Sequence, residues 1–242
     1  MGTSFLFKDL LVGYLMPEKC FEEFFVHFHF HVPCLKFVLN RAAGFWILLD
    51  TFLAQPSQLL KIFWRGSSEG LSLTSVLLQL YALSCPVIYA IANNFPFFSW
   101  AERLLVVAQT AAIVFLILLH RGHAVKGLLL LLGFGGVMLL LGLYAAAAVV
   151  SLMHASITAA FIASKLVQAV TNYRNGHAGQ LSTLSLFLNW TGSLSVALVS
   201  LQGHRGSLVS LSHILSSCLS FVLLSQALCC TCSSATAAKK TD

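Results

Sequence analysis

Few side chains in this 242-residue sequence could do chemistry, and they are set in long apolar surroundings. Gln58 and Gln168 each stand near the end of an apolar stretch, and Asn172 follows Gln168 by one helical turn. Three amides able to bind backbone or a hydroxyl-rich ligand therefore share one kind of location. A polar group in hydrocarbon is costly unless it is paired or lines a cavity. Two readings stand side by side: a polar substrate patch, or hydrogen bonds that only hold helices together. Asn93 and Asn94 close another apolar stretch just before Phe95-Pro96, where asparagine suits a turn, with substrate contact as the second reading. Lys61 and Arg65 near the first glutamine, and Lys165, Arg174 and His177 near the second, would present cations to a phosphate-bearing lipid. For any one of them, charge asymmetry between the two faces of a membrane is the simpler explanation. Asp50 either pairs with a cation or faces a cavity, and the sequence does not name its partner.

Other motifs carry less. Gly66-Ser67-Ser68-Glu69-Gly70 matches a hydrolase nucleophile elbow, but no strand precedes it. His27, His29 and His31 alternate without a fourth ligand of suitable spacing, and their phenylalanine neighbours describe an interfacial segment rather than a metal site. Asn189-Trp190-Thr191 is formally a glycosylation sequon but falls inside an apolar stretch. The seven cysteines form no metal signature, and no cofactor is expected.

The elements that must position these groups are announced by a duplication. Gln58, Gly66, Leu71-Ser72 and Ser75 return 110 residues later as Gln168, Gly176, Leu181-Ser182 and Ser185. With 58% hydrophobic residues, 9% charged and a mean hydropathy of +0.86, the chain has about a third of the charge of a soluble domain, roughly 25%. It is an integral membrane protein, and no strand-like alternation points to a barrel. Apolar spans are predicted at 35–54, 73–92, 100–119, 127–143, 147–170, 184–201 and 208–229, which makes seven. The stretch 127–164 lacks Asp, Glu, Lys and Arg and is divided near 142–146 because it is too long for one crossing. Four crossings separate the two copies, so both lie on one side with one orientation. The expected fold is an all-α membrane protein of two parallel three-helix repeats joined by a linker helix, 3+1+3. Its parts are an N-terminal segment (1–34), repeat one (35–119), the linker (120–146), repeat two (147–232) and a tail (233–242).

Orientation follows from the basic residues. One face collects Lys61, Arg65, Arg121, Lys126, Lys165, Arg174, Lys239 and Lys240, against Arg103 and Arg205 in the opposite loops, an asymmetry diluted by Lys8, Lys19, Lys36 and Arg41 near the N-terminus. The positive-inside rule makes the first face cytosolic, with the C-terminus cytosolic and the N-terminus lumenal. The net charge of +6 then reflects topology and needs no nucleic acid. Lys239-Lys240-Thr241-Asp242 fits a dilysine retrieval signal of the endoplasmic reticulum, and 1–17 is not read as a cleaved signal peptide. Cys20 and Cys34 both fall on the lumenal side, where a disulfide persists; free packed thiols are the alternative. Cys229, Cys230 and Cys232 end the last span at the cytosolic face, where S-acylation is one reading. The lumenal loops between spans offer only Glu102 as a carboxylate, so enzymatic activity is not expected.

Several segments carry a resemblance. The run from Thr171 to Ser182, Asn93-Asn94-Phe95-Pro96-Phe97, Pro17-Glu18-Lys19-Cys20 and His31-Val32-Pro33-Cys34-Leu35-Lys36 closely resemble the PQ-loop family, akin in fold to the SWEET sugar transporters. The similarity covers nearly the whole chain. It implies a multi-pass endoplasmic reticulum protein needed for use of dolichol-phosphate-mannose and dolichol-phosphate-glucose as donors in N-glycan and GPI-anchor assembly, and not itself a glycosyltransferase. The family's Pro-Gln pair is altered here: Ser57-Gln58 with Pro56 one residue early, and Val167-Gln168 with no proline. Only the first half keeps a proline hinge. Two classes of function are carried forward. The protein either binds, presents or translocates dolichol-phosphate-linked sugars among membrane lipids, or organises lumenal glycosyltransferases as a scaffold. A SWEET-like small-solute carrier is a more distant third.

Overall fold

In a bilayer every backbone N–H and C=O must find its partner within the protein, and a helix does this within each segment. The computed structural model describes residues 12–13, 16–28, 31–202 and 207–238, without the side chains of 207 and 230–238. Among the described residues there is no strand. A short helix α1 (Glu18–Phe25) precedes α2 (Val32–Leu49), which passes through a π-helical turn (Asp50–Ala54) directly into α3 (Gln55–Arg65). Then come α4 (Leu73–Ala92), α5 (Ala101–His120), α6 (Ala124–Tyr144), α7 (Ala147–Asn175), α8 (Thr183–Gln202) and α9 (Ser207–Ala238). Among the described residues, seven helices are long and apolar enough to cross a membrane: Val32–Arg65 as one rod, α4 to α8, and Leu208–Cys229 of α9. The protein is a multi-pass membrane protein.

The first span is longer than its apolar stretch suggests, running 34 residues to Arg65 instead of stopping near residue 54. Likewise α7 reaches Asn175 in 29 residues, past the expected end near 170. About 20 residues cross the hydrocarbon, so the extra turns carry Gln58 and Gln168 to one boundary of the bundle. Each rod ends on a glycine in the left-handed region, Gly66 at φ 58° and Gly176 at φ 69°. The following helices start on serine caps: Ser72 and Ser182 accept from the amides of Ser75 and Ser185, each at 3.4 Å. Pro56 has no N–H to give and its ring crowds the preceding turn, which accounts for the π turn just before it. The equivalent stretch of α7, without a proline, is unbroken.

The packing has a pattern. α4 lies along α7, and the first span lies along α8. α5 packs on α3 and α4, just as α9 packs on α7 and α8. α6 sits outside, against α4 and α5. Its glycines allow the approach: a Cβ on Gly127 would stand 3.1 Å from the Leu118 side chain, and one on Gly142 3.3 Å from Ile91. Its leucines at 128, 129, 132, 139 and 140 face outward. One buried cluster, including Ile62, Leu80, Val114 and Ile117, fills the space between α3, α4 and α5 and takes in Leu181 from the loop before α8. The residues Cys20 and Cys34 form a disulfide that ties α1 to the start of α2.

Candidate functional site

The two duplicated glutamines make matching contacts, each with the loop that follows the other's helix. Gln58 Nε2 donates to the Gln180 carbonyl at 3.1 Å, and its Oε1 accepts from the Ser182 N–H at 2.7 Å. Gln168 Nε2 donates to the Gly70 carbonyl at 2.8 Å, and its Oε1 accepts from the Ser72 N–H at 3.0 Å. Gly70 and Ser72 become Gln180 and Ser182 under the 110-residue offset, so the contact is reciprocal. Each carboxamide offers the donor and acceptor that a neighbouring peptide would, to a C=O at one position and an N–H two positions on. The helix ends are thereby bound to loops that would otherwise carry unsatisfied backbone groups.

The loops also meet directly. The Gln180 N–H donates to the Glu69 carbonyl at 2.8 Å, and a Cβ on Gly70 would stand 2.7 Å from the Gly179 Cα. Both glycines have positive φ, 81° and 54°, so neither position has room or conformation for a side chain. Lys61 donates to the Leu181 carbonyl at 2.5 Å, and Arg121 Nη2 to the Leu71 carbonyl at 3.1 Å. One turn inward, Ser75 and Ser164 exchange hydrogen bonds: each hydroxyl donates to the other's carbonyl at 2.8 Å, and the two Oγ atoms are 3.1 Å apart. This face of the bundle is closed.

Behind the closed face lies a cavity of about 350 Å³, lined from the first span, α4, α5, α7, α8 and α9. Gln58 and Gln168 line it, and Gln55, Gln79, Thr158, Asn189 and Ser193 add further amides and hydroxyls to its wall. Two charged groups enter it, Asp50 from the π turn and Lys165 from α7. Lys165 Nζ donates to the Ser216 carbonyl at 3.2 Å and to Ser216 Oγ at 2.7 Å. Asp50 Oδ1 is buried and has no hydrogen-bond partner among the described residues.

The remaining candidates are dispersed. Asn172 is buried, accepts from Gln168 Nε2 at 2.8 Å and donates to Gln226 Oε1 at 3.1 Å, which ties α7 to α9 and keeps it out of the cavity wall. Asn93 and Asn94 are exposed at the far end of α4; Asn93 Nδ2 donates to the Tyr89 carbonyl at 2.7 Å, and Asn94 adopts φ 54°, both as a turn requires. Arg65, Arg174 and His177 are exposed on the closed face. Of the cations expected at one depth, Lys61 is thus taken up by a loop carbonyl and Lys165 lies inside. His27 and His31 are exposed, whereas His29, Lys239 and Lys240 lie outside the described residues. Asn189, set aside above as a sequon, lines the cavity, and so do Gln55 and Gln79, which the sequence reading passed over. A polar residue at helical spacing from Gln58 was the available signal for Gln55, and the 110-residue offset, which carries Gln79 onto Asn189, was the signal for Gln79.

This fold and site define a class: a multi-pass helical membrane protein with a polar chamber between two mutually latched groups of helices. The family model for the PQ loop repeat matches residues 39–99, which run from α2 through α4 and contain Gln58. A PQ-loop repeat is therefore present in this chain, in keeping with a membrane transporter or a sugar-related membrane protein. No solved structure matches the chain at a significant level.

Proposed function

We propose that this protein handles a sugar carried on a polyprenyl phosphate, binding the glycosyl headgroup in the central cavity so that it can be presented to, or moved between, the two sides of the endoplasmic reticulum membrane. The carriers are dolichol-phosphate-mannose and dolichol-phosphate-glucose, donors for N-glycan and GPI-anchor assembly, as the resemblance to the mannose-P-dolichol utilization defect 1 protein implies. The observation that carries this reading is the cavity itself. At about 350 Å³ it lies near the small end of ligand sites, roughly 300–1,000 Å³. It has room for a sugar and its phosphate while the polyprenyl chain stays in lipid, and its wall of amides and hydroxyls suits a polyol.

The helices form two parallel triplets, the first span with α4 and α5, and α7 with α8 and α9, joined by α6. The common 110-residue offset and the repeated packing support that division. The closed face is cytosolic, from the basic residues gathered there. The protein does not itself transfer the sugar. Purified protein in liposomes, with dolichol-phosphate-mannose delivered to one leaflet, tests the proposal. Accelerated appearance of mannose in the other leaflet, or saturable binding of the lipid, supports it; neither binding nor transfer opposes it and favours a scaffold for glycosyltransferases, for which the outward leucine face of α6 would be the contact surface.

A further inference from the structure

The internal duplication lets each half serve as the reference for the other. The offset that carries Gln58 onto Gln168 carries Asp50 onto Ala160, Ala82 onto Gly192 and Gln55 onto Lys165. Ala82 and Ala160 are both buried where α4 runs along α7. In the equivalent contact between the first span and α8, a carboxylate has replaced one methyl group and a hydrogen the other. The two changes depend on each other, because a Cβ on Gly192 would stand 2.7 Å from Asp50 Oδ2 and 2.8 Å from its Cγ. Gly192 is what admits the carboxylate.

A fold that needed only packing would keep the alanine pair. A carboxylate inside a membrane protein is expensive unless something satisfies it. Here Oδ1 is buried without a hydrogen-bond partner among the described residues. Lys165 enters the same cavity but gives two of its three protons to Ser216, and no ion pair joins it to Asp50 among the described residues. One buried acceptor and one donor are thus left among the residues that line the same cavity.

We propose that Asp50 and Lys165 are the two poles of a glycosyl-phosphate site, Asp50 accepting hydrogen bonds from the sugar hydroxyls and Lys165 meeting the anionic oxygen of the phosphate. The inference rests on the proposed function and adds to it which end of the ligand lies where. An ionised carboxylate makes charge-assisted bonds to hydroxyls, and an ammonium a charge-assisted bond to phosphate, about twice as strong as neutral ones. Phe161 lines the same cavity and offers an apolar surface to the C–H face of the ring.

The experiment uses the full chain in nanodiscs with four probes: dolichol-phosphate-mannose, dolichyl phosphate, mannose 1-phosphate and methyl mannoside. Asp50→Asn should weaken dolichol-phosphate-mannose and mannose 1-phosphate about tenfold and leave dolichyl phosphate unchanged. Lys165→Gln, which installs the residue found at position 55, should weaken all three phosphate-bearing probes by a similar factor and leave methyl mannoside unchanged. Comparable binding of mannose 1-phosphate and dolichol-phosphate-mannose identifies the glycosyl phosphate as the recognised group; binding of the lipid alone, still sensitive to both variants, makes the lipid-linked form the ligand. The double variant Asp50→Ala/Gly192→Ala restores the alanine pair and guards against a folding defect: it should unfold no earlier than wild type and still lose the sugar-dependent affinity. If Asp50→Asn binds dolichol-phosphate-mannose as wild type does, or loses dolichyl phosphate equally, this inference is overturned while the proposed function stands. If the wild-type protein binds no probe and moves no lipid, both fall.

Discussion

Replacing Gln58 with leucine should unfasten a loop in the opposite half of the protein. Leucine keeps the bulk of the side chain but neither donates nor accepts, so the Ser182 N–H and the Gln180 carbonyl each lose a partner. Ser182 is buried and its N–H is stranded, at about 1–3 kcal/mol. Gln180 is half-buried beside the loop surface, where water replaces the amide and the loss is about 1 kcal/mol. The total is about 3 kcal/mol. At about 1.4 kcal/mol per factor of ten, this is roughly a hundredfold loss of protection at the Ser182 amide. Gln168→Leu should act on Ser72 instead, and should lower overall stability about 1 kcal/mol further because Gln168 also donates to Asn172. Hydrogen exchange with fragment mass analysis on the detergent-solubilised protein reads both amides at once. Retained protection at Ser182 in Gln58→Leu, or deprotection at Ser72 in its place, would refute the reciprocal contact.

The other predictions are shorter. Gly192→Ala should destabilise by about 1–3 kcal/mol through overpacking against the Asp50 carboxylate, and the penalty should vanish when Asp50→Ala is made beside it; additive effects of the two changes in thermal unfolding would contradict the contact. Unreduced protein should resist alkylation at Cys20 and Cys34 and gain two alkyl groups there after reduction, with about 3 kcal/mol of stability lost if the bridge acts as a loop of its size usually does; labelling of both without reductant would show the bridge absent. Epitope tags inserted after Gly66 and after Gly176 should report the same side of the membrane, and opposite sides would contradict the proposed parallel repeats.

Much of the arrangement was legible in the sequence, for physical reasons that can be named. Long apolar runs show themselves by length, and the break near Tyr144 to Ala147 falls where a charge-free stretch is too long for one crossing. The two glutamines stood out because the offset repeats them. What they bind did not, since Gln58 reaches backbone 122 and 124 residues away and a backbone acceptor leaves no mark on residue type. The same reason hid the continuation of the first span to Arg65: Gln58 and Lys61 look like the end of a membrane segment, but the opposite loop satisfies them and the helix runs on. Asn172 sits one turn from Gln168 and accepts a hydrogen bond from its Nε2, yet its own Nδ2 donates to Gln226, so spacing alone did not separate the cavity wall from the helix contact. Asp50 was visible as an intramembrane acid. Its relation to Gly192 was not, because a missing side chain gives no signal until the facing helix is known.

The contact between the halves can be tested most directly at Ser75 and Ser164, whose hydroxyl oxygens are 3.1 Å apart although they belong to α4 and α7. With both changed to cysteine in the full-length protein, mild oxidation in the native membrane should join them within one chain. Mass analysis after proteolysis should then recover the two peptides as a single disulfide-linked species that separates on reduction. Two independently alkylated cysteines, or a bridge formed only between chains, would contradict the arrangement on which the closed face and the cavity behind it depend.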